Sequence, residues 1–371
     1  MMMTATSTTI RDRATRIVWL LLVMGVGCTN ALKNVDFGEN ARTFEPVSAK
    51  AAIVDVTYSD DGRNIAAVHT FVYPHDRRVS CVGTPSSWLR LWKVYDGWNS
   101  DDGLDLGSVS LGSRSLGPLR FTLDGGEIIT WAERQEEQLV IWNTKNNKLD
   151  RRNVGWVLGV SPHGEAIVTR DEDTGLSVCD KHGLPIEHSW PSNDVKMGHA
   201  VWQNPFSADG RLLAIHVGND SAKHQIAICD WRTGKQQASF AVAATVWSFA
   251  FSPDGRLVAL TGLGGPIIKV HDTQTGELRQ QLEMDADDFW DVAFSPDGQQ
   301  LAVCGDTRFE KKKESQGQTV VWHVPTWRKL KTYIDRESWA TTAVTFSPDS
   351  KTLACGTTKG IIRFHASPSA E

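Results

Sequence analysis

The feature that most constrains this chain is a short turn sequence that recurs along its length. "FSPDG" stands at residues 251–255 and 294–298, and "FSPDS" stands at 346–350. Looser copies begin at residues 58, 121, 160 and 206, which makes seven copies at intervals of 39 to 63 residues. A unit that returns at such intervals indicates a repeat architecture rather than a set of unrelated domains.

The residues of this string are those that a tight hairpin turn requires. Proline presets the backbone angle φ, the aspartate side chain caps the turn, and glycine accepts the positive φ that lets the next strand leave. In the last copy Ser350 replaces the glycine. We therefore expect backbone strain at Ser350, because a positive φ is energetically unfavourable for a residue with a Cβ atom.

The sequences around each turn are typical of short strands. "TVWSFAF" (245–251) precedes one turn, "RLVALTG" (256–262) follows it, and a polar run "ELRQQLEM" (277–284) comes later in the same repeat. Between the second and fourth runs lies a third that ends in a bulky residue, at Trp92, Trp142, Cys179, Cys229, His271, Trp322 and His365. Four short strands in every repeat predict one antiparallel blade for each turn.

Several of these motifs resemble the WD-repeat family in a divergent, bacterial-type form. The resemblance covers about residues 41–366 and is carried by "FSPDG", "ICDWRTGK" (228–235) and "IKVHDTQTGE" (268–277). It implies an all-β fold, a seven-bladed β-propeller of four-stranded antiparallel blades. The last repeat stops after its third strand, so we expect residues 41–47 to pair with the last blade and close the ring.

The chain also departs from the family pattern. A Gly-His pair before the first strand is found only at 198–199, and Lys359 stands where the family often has aspartate. The hydrogen-bonded chain that these residues imply in the family is therefore incomplete. We expect the blades to be held together by apolar packing instead.

The first 28 residues have the pattern of an export signal. Three arginines within residues 11–16 precede an apolar run at 17–27, which is shorter than the roughly 20 residues of a membrane-spanning helix. Cys28 follows Gly27 as in a bacterial lipobox, so lipidation of Cys28 and a membrane tether are predicted. Cleavage near residues 29–31 and an uncleaved anchor are the alternatives.

This pattern predicts four regions and an extracytoplasmic location, in the periplasm or cell envelope. Residues 1–28 form the signal, 29–40 a linker, 41–366 the propeller and 367–371 a C-terminal tail.

Composition and motifs argue against nucleic-acid binding and against catalysis. The net charge of −5 gives no cationic field to hold nucleic acid. The motifs of serine hydrolases, phosphate-binding loops and zinc proteases are absent from the sequence. His69, His75, Asp76 and Cys81 share one segment, but their spacing matches no common zinc site. We therefore expect no cofactor, no metal and no enzymatic activity.

One set of aromatic residues suggests where a partner would bind. If the residue that opens each turn is position zero, tryptophan occupies position −4 in four successive repeats, at Trp156, Trp202, Trp247 and Trp290. Strand side chains alternate, so positions −4, −2 and zero should share one side. These tryptophans either pack between blades or line a partner-binding surface at the end of the blades opposite the turns.

Long connections are predicted at the same end, at residues 70–88, 132–138, 218–225 and 306–318. Together with the tryptophans they favour a non-catalytic scaffold that binds a protein or peptide. A small-ligand, glycan-binding or enzymatic site at the mouth of the channel is the alternative, since fold alone does not decide function.

Overall fold

The computed structural model describes residues 42–44, 51–71, 87–94, 104–111, 119–122, 124–132, 138–162, 164–171, 175–186, 205–217, 224–242, 246–262, 267–308 and 315–369. All of them belong to the unit Asn40–Glu371. These residues form strands and turns and contain no helix. Within them, accordingly, no helix has the length and apolar character needed to span a membrane.

The described strands, β1 to β26, form seven antiparallel sheets that follow one another along the chain. Sheet 1 has the order β2 (Ala51–Tyr58), β3 (Asn64–Phe71), β4 (Trp88–Lys93) and β5 (Leu104–Ser110). Sheet 2 has the order β6 (Arg120–Phe121), β7 (Glu127–Ala132), β8 (Gln138–Asn143) and β9 (Lys148–Asn153). Sheet 3 has the order β10 (Trp156–Val160), β11 (Ile167–Asp171) and β12 (Gly175–Cys179).

The remaining sheets repeat this arrangement. Sheet 4 has the order β13 (Leu212–Val217), β14 (Gln225–Asp230) and β15 (Lys235–Ala241). Sheet 5 has the order β16 (Val246–Phe251), β17 (Leu257–Gly262), β18 (Ile267–Asp272) and β19 (Leu278–Glu283). Sheet 6 has the order β20 (Asp288–Phe294), β21 (Gln300–Arg308), β22 (Ser315–His323) and β23 (Arg328–Asp335).

Sheet 7 combines both ends of the described chain. Its order is β1 (Arg42–Phe44), β26 (Ile362–Ala366), β25 (Thr352–Thr357) and β24 (Thr341–Phe346). Arg42 pairs with Phe364, and Phe44 pairs with Ile362. The segment at 42–44 therefore supplies the outer strand of a sheet whose other three strands come from the C-terminal end.

The recurrent turns have the chemistry that their sequence predicts. In "FSPDG" at 251–255 the Ser252 hydroxyl donates to Asp254 Oδ1 at 2.6 Å and accepts from the Leu257 amide at 2.9 Å. Gly255 has a φ of 68°. Ser350 has a φ of 61°, which confirms the strained backbone expected there. Its hydroxyl accepts a hydrogen bond from the Asp297 amide at 3.0 Å, so it also links the turns of sheets 6 and 7.

The core consists of apolar clusters, each of which is shared by two sheets. One cluster combines Ile268 and Val270 of sheet 5 with Phe289 and Trp322 of sheet 6. Six others join the pairs 1–2, 2–3, 3–4, 4–5, 6–7 and 7–1. Apolar clusters thus pack each sheet against its neighbours, as the missing family hydrogen bonds suggested.

The bulky residues at the ends of the third strands belong to this core. Six of the seven are buried, namely Trp92, Trp142, Cys179, Cys229, His271 and Trp322. His365 is half-buried, and its ring stacks on Tyr333 with centroids 4.2 Å apart. Cys304 and Cys355 lie on neighbouring sheets and meet in one cluster, where both are free thiols.

One predicted connection is shorter than expected. The sequence suggested a loop over 306–318, but β21 continues to Arg308 and β22 begins at Ser315. Asp306 pairs with Gly317 and Arg308 pairs with Ser315. The prediction was wrong because charged and polar residues can continue a hairpin ladder when its backbone groups are paired.

Candidate functional site

Trp290 lies at a β-bulge in β20, the first strand of sheet 6. We call the corresponding strand of each sheet its inner strand. Phe289 pairs with Gly305 and Asp291 pairs with Cys304, so Trp290 is the extra residue between them. A bulge leaves its extra residue unpaired and redirects the side chain. Gly305 is required opposite, because a Cβ atom there would lie 2.3 Å from the backbone oxygen of Asp288.

Trp247 occupies the corresponding bulge of sheet 5, between Val246 and Ser248. The bulge breaks the alternation on which the sequence-based prediction relied. Phe249 and Phe251, at positions −2 and zero, are buried, whereas Trp247 and Trp290 are only half-buried. The prediction that position −4 shares its side with −2 and zero was therefore wrong, and the bulge is the physical reason.

Three tryptophans of the described residues form one continuous row. The rings of Trp247 and Trp290 have centroids 5.7 Å apart and cross at 78°. Trp290 and Trp339 have centroids 6.0 Å apart and cross at 74°. Both contacts are edge-to-face, the geometry that aromatic pairs prefer. We call Trp247, Trp290 and Trp339 the tryptophan arc.

Sequence reasoning missed Trp339. This residue lies in the connection between β23 and β24, seven positions before Phe346, and is half-buried like the other two. A search at position −4 finds Thr342 in that repeat instead. The sequence does contain a signal for Trp339, because it is a tryptophan just before the inner strand β24. Its distance from the turn differs from that in the other repeats.

The other proposed site residues cannot be placed in this row. Trp156 begins β10, but its side chain lies outside the described part of the structure. Trp202 and Cys28 lie outside the described residues altogether. Their predicted roles stay predictions.

A buried carboxyl group supports the centre of the arc. The Trp290 Nε1–H group donates to Asp306 Oδ1 at 3.3 Å. The Ser315 Oγ atom lies 2.9 Å from Asp306 Oδ2 and 2.9 Å from the backbone oxygen of Trp339, so one hydroxyl links two members of the arc. Burial, together with repulsion from Asp288 and Asp287, raises the pKa of Asp306.

Trp247 differs from Trp290 in its polar contacts. Its Nε1 atom is buried from solvent and has no hydrogen-bond partner among the residues that the structure describes. Buried indole N–H groups usually have a partner. Among the described residues, Trp247 therefore lacks the polar anchor that Asp306 provides for Trp290.

Two further aspartates, at position −3, join neighbouring sheets. Asp291 Oδ1 accepts from the Val292 amide at 2.6 Å and from the Ser248 hydroxyl at 3.1 Å, and Oδ2 accepts from the Val344 amide at 2.8 Å. One carboxyl group thus connects the inner strands of sheets 5, 6 and 7. Burial raises its pKa to about 8.

Asp55 has the same role between sheets 1 and 2. It accepts from the Val56 amide and from the Leu119 amide, both at 2.7 Å. Burial raises the pKa of Asp55 to about 6, and the positive charge of Arg120 acts in the opposite direction. Because the carboxyl oxygens of both aspartates accept hydrogen bonds from backbone amides of their own and of neighbouring sheets, these residues have structural roles.

The histidine that the sequence offered as a metal ligand is isolated. His69 is fully buried in β3, and neither ring nitrogen has a hydrogen-bond partner in the described part of the chain. Burial lowers its pKa to about 3, so the ring is neutral. His75, Asp76 and Cys81 lie outside the described residues. Within the described ranges, no group of three or more His, Cys, Asp or Glu side chains is placed to hold a metal ion.

Comparison with known proteins finds one family match within the chain. A family model described as WD domain, G-beta repeat, matches residues 234–272 and 276–309. The first match spans β15 to β18, and the second spans β19 to β21. These two segments therefore match WD repeats, and the all-β sheets of the described residues fit the propeller that such repeats build. A search of curated proteins finds none that matches this chain.

Proposed function

We propose that this protein is a closed, seven-bladed WD-repeat propeller that binds a protein or peptide through the tryptophan arc and has no catalytic role. Seven consecutive sheets, with apolar clusters between each sheet and the next and between sheets 7 and 1, support the ring. Pairing of β1 with β26 supports closure by chain from both ends. WD-repeat propellers often serve in protein interactions.

The observation that carries the binding proposal is the partial exposure of three adjacent indoles. Trp247, Trp290 and Trp339 are each half-buried and contact one another edge to face. Tryptophan combines a large apolar body with a polar N–H group, and it is enriched among the residues that dominate binding energy. Three of them in one row offer a rigid surface that loses little side-chain entropy on binding.

The arc is also anchored, which suits recognition. Trp290 packs against the cluster between sheets 6 and 7, which contains Cys304 and Val344, while part of its ring remains accessible. The alternative interpretation, in which these tryptophans pack between sheets, therefore applies to only one side of the Trp290 ring. We propose that the partner binds to the accessible side of this ring.

The location of this platform is proposed from the sequence. The basic start, the apolar run at 17–27 and Cys28 support export and a lipid tether outside the cytoplasm. A tethered platform would hold its partner at the membrane surface. Intact mass of the membrane-bound protein tests this, because a mature chain that begins after Ala31 would contradict lipidation at Cys28.

Affinity capture from the native membrane fraction tests the binding proposal. The variant Trp247→Ala/Trp290→Ala is compared with wild type, after circular dichroism has shown that both are folded. The matched control is Trp327→Ala, because Trp327 is also half-buried but lies in the turn between β22 and β23, at the other end of sheet 6.

We expect a partner that wild type and the Trp327→Ala variant capture and that the double variant loses. Identical partners for all three proteins would place the interaction elsewhere on the molecule. Capture of no partner by wild type would contradict the scaffold proposal.

A further inference from the structure

We propose that β23, the outer strand of sheet 6, docks on an anionic lipid surface through Lys329 and Lys331. This inference deepens the proposed function and rests on the membrane tether proposed there. The tether would supply the attachment, and β23 would decide which side of the propeller faces the lipid. The basis is the charge of β23 and the place where the chain from Cys28 enters the fold.

The exposed side chains at the start of β23 carry positive charge. Arg328, Lys329 and Lys331 are all exposed. Neither Lys329 nor Lys331 forms an ion pair with any residue that the structure describes. Lys331 Nζ instead lies 5.1 Å from the ring centroid of Tyr333. A cation that contacts an aromatic ring keeps its charge, so both lysines can attract an anion from outside.

The acidic side chains that follow these lysines along the chain are already engaged. Asp335, at the end of β23, binds Arg363 Nε at 2.8 Å. Glu337 binds Arg363 Nη2 at 2.6 Å. Because Arg363 comes from β26 and neutralises Asp335, the basic side chains determine the charge of the exposed part of β23.

The other outer strands whose side chains the structure describes have fewer available cations. In β9 and β15 only one basic side chain each is exposed, Lys148 and Lys235. In β19 the one basic residue, Arg279, pairs with Asp272 at 2.9 Å. An anionic surface would therefore attract the edge of the propeller at β23 more strongly than at these three strands.

The chain from Cys28 enters the fold one strand away from β23. Arg42 begins β1, which pairs with β26 as the outer strand of sheet 7. On β26, His365 stacks on Tyr333 of β23, with centroids 4.2 Å apart. Residues 29–41 span at most about 45 Å when fully extended, so a lipid on Cys28 would keep this edge within that distance of its anchor.

The tether makes a weak attraction sufficient. Two lysines bind an anionic surface only weakly, but a chain already held at that surface has a high effective concentration beside it. Ile334 is exposed on the same strand and adds an apolar side chain that can enter the headgroup region. Lysine on an outer strand also prevents sheets of different molecules from pairing edge to edge. That role involves no lipid, so an experiment with lipid separates the two.

The test is sedimentation of the purified full chain with lipid vesicles. One set contains equal parts of anionic phosphatidylglycerol and neutral phosphatidylcholine, and the other contains phosphatidylcholine alone. The ratio of the two partition coefficients is measured, because the apolar run at 17–27 can bind both sets. The variant Lys329→Gln/Lys331→Gln is compared with Lys148→Gln/Lys235→Gln, which makes the same charge change on β9 and β15.

We expect wild type to prefer the anionic vesicles, and this preference should weaken as the salt concentration rises. In Lys329→Gln/Lys331→Gln the ratio should fall about thirtyfold, which corresponds to about 1 kcal/mol for each lysine at an anionic surface. In Lys148→Gln/Lys235→Gln it should stay within about twofold of wild type, because charges away from the contact are screened.

Equal partition of wild type into both sets of vesicles would overturn the inference and leave protection of the sheet edge as the role of these lysines. An unchanged ratio in Lys329→Gln/Lys331→Gln, or equal losses in the two double variants, would also overturn it. The tether is tested separately by intact mass. If the predicted loss occurred in a protein whose mature chain begins after Ala31, the docking surface would stand and lipidation at Cys28 would be wrong.

Discussion

We expect replacement of Asp291 to lower the free energy of unfolding more than replacement of any other polar side chain in the inner strands of the sheets. In Asp291→Ala the Val292 amide, the Val344 amide and the Ser248 hydroxyl lose their acceptor. A buried donor without a partner costs about 1–3 kcal/mol, and the hydroxyl can rotate toward another acceptor. With two orphaned amides, and with the burial cost of the carboxyl group removed, we expect a loss of about 3 kcal/mol in the free energy of unfolding.

Asp291→Asn keeps the shape of the side chain but changes its hydrogen bonding. The amide oxygen can still serve Val292 and Ser248, but the amide nitrogen then faces the Val344 N–H group, so one donor is opposed by another. We expect a loss of about 1–2 kcal/mol, which places this variant between wild type and Asp291→Ala.

Urea unfolding followed by tryptophan fluorescence measures these differences. Asp285→Asn serves as the control, because Asp285 is exposed in the connection before β20 and should change stability by less than about 0.5 kcal/mol. If Asp291→Ala were as stable as the control, the carboxyl group would not join the three sheets.

The pH dependence gives an independent check on the same residue. Burial raises the pKa of folded Asp291 from 3.8 to about 8. Because the folded protein holds this proton more tightly than the unfolded chain, the stability it contributes is fully present below the unfolded pKa and is lost as pH rises toward the folded pKa. The advantage of wild type over Asp291→Asn should therefore shrink between pH 5 and 8, by at most about 1.4 kcal/mol per pH unit. An advantage that grows over this range would show that the sign of the shift is wrong.

Further predictions concern the packing around the arc and the turns. Ser350→Ala and Ser350→Gly both lose the hydroxyl that accepts from Asp297, but only alanine keeps a Cβ atom at the φ of 61°. Ser350→Ala should therefore be less stable than Ser350→Gly by about 1 kcal/mol in urea unfolding, and equal stabilities would contradict the strain. Arg363→Met leaves the buried carboxyl group of Asp335 without its cation and should cost about 3–5 kcal/mol, and thermal unfolding no different from wild type would refute that role. Cys355 is a buried free thiol whose pKa burial raises to about 12, so iodoacetamide should label it only after denaturation, as mapped by peptide mass spectrometry; labelling of the folded protein would contradict its burial.

The local part of the fold could be predicted from the sequence because it depends on local chemistry. Each turn has a serine or threonine and a residue with positive φ, and all turns except that at 160–164 also have an aspartate cap; these residues lie within a few positions of one another. Even the exception at Ser350 follows from the absence of a single glycine. Third-strand residues such as Trp142 and Cys229 were predicted in the same way and are buried.

The site itself was predicted only in part, since it depends on contacts between sheets. A bulge at Trp290 becomes visible only when the pairing of β20 with β21 is known, and alternation along one strand gives the wrong side for its indole. Trp339 escapes a search at fixed spacing because its place depends on the length of the connection before β24. The role of Asp291 cannot be predicted from the sequence either, because Val344 and Ser248, which donate to its carboxyl oxygens, come close to it only in the folded sheets.

The most direct test of the central claim is site-specific photocrosslinking in native membranes. A photoreactive phenylalanine analogue replaces Trp339, in the arc, or Trp327, in the turn between β22 and β23 at the other end of sheet 6. We predict that irradiation joins a partner protein to the chain with the probe at position 339 and not to the chain with the probe at 327. Crosslinks from position 327 alone, or equal crosslinks from both positions, would contradict an interaction platform built on the tryptophan arc.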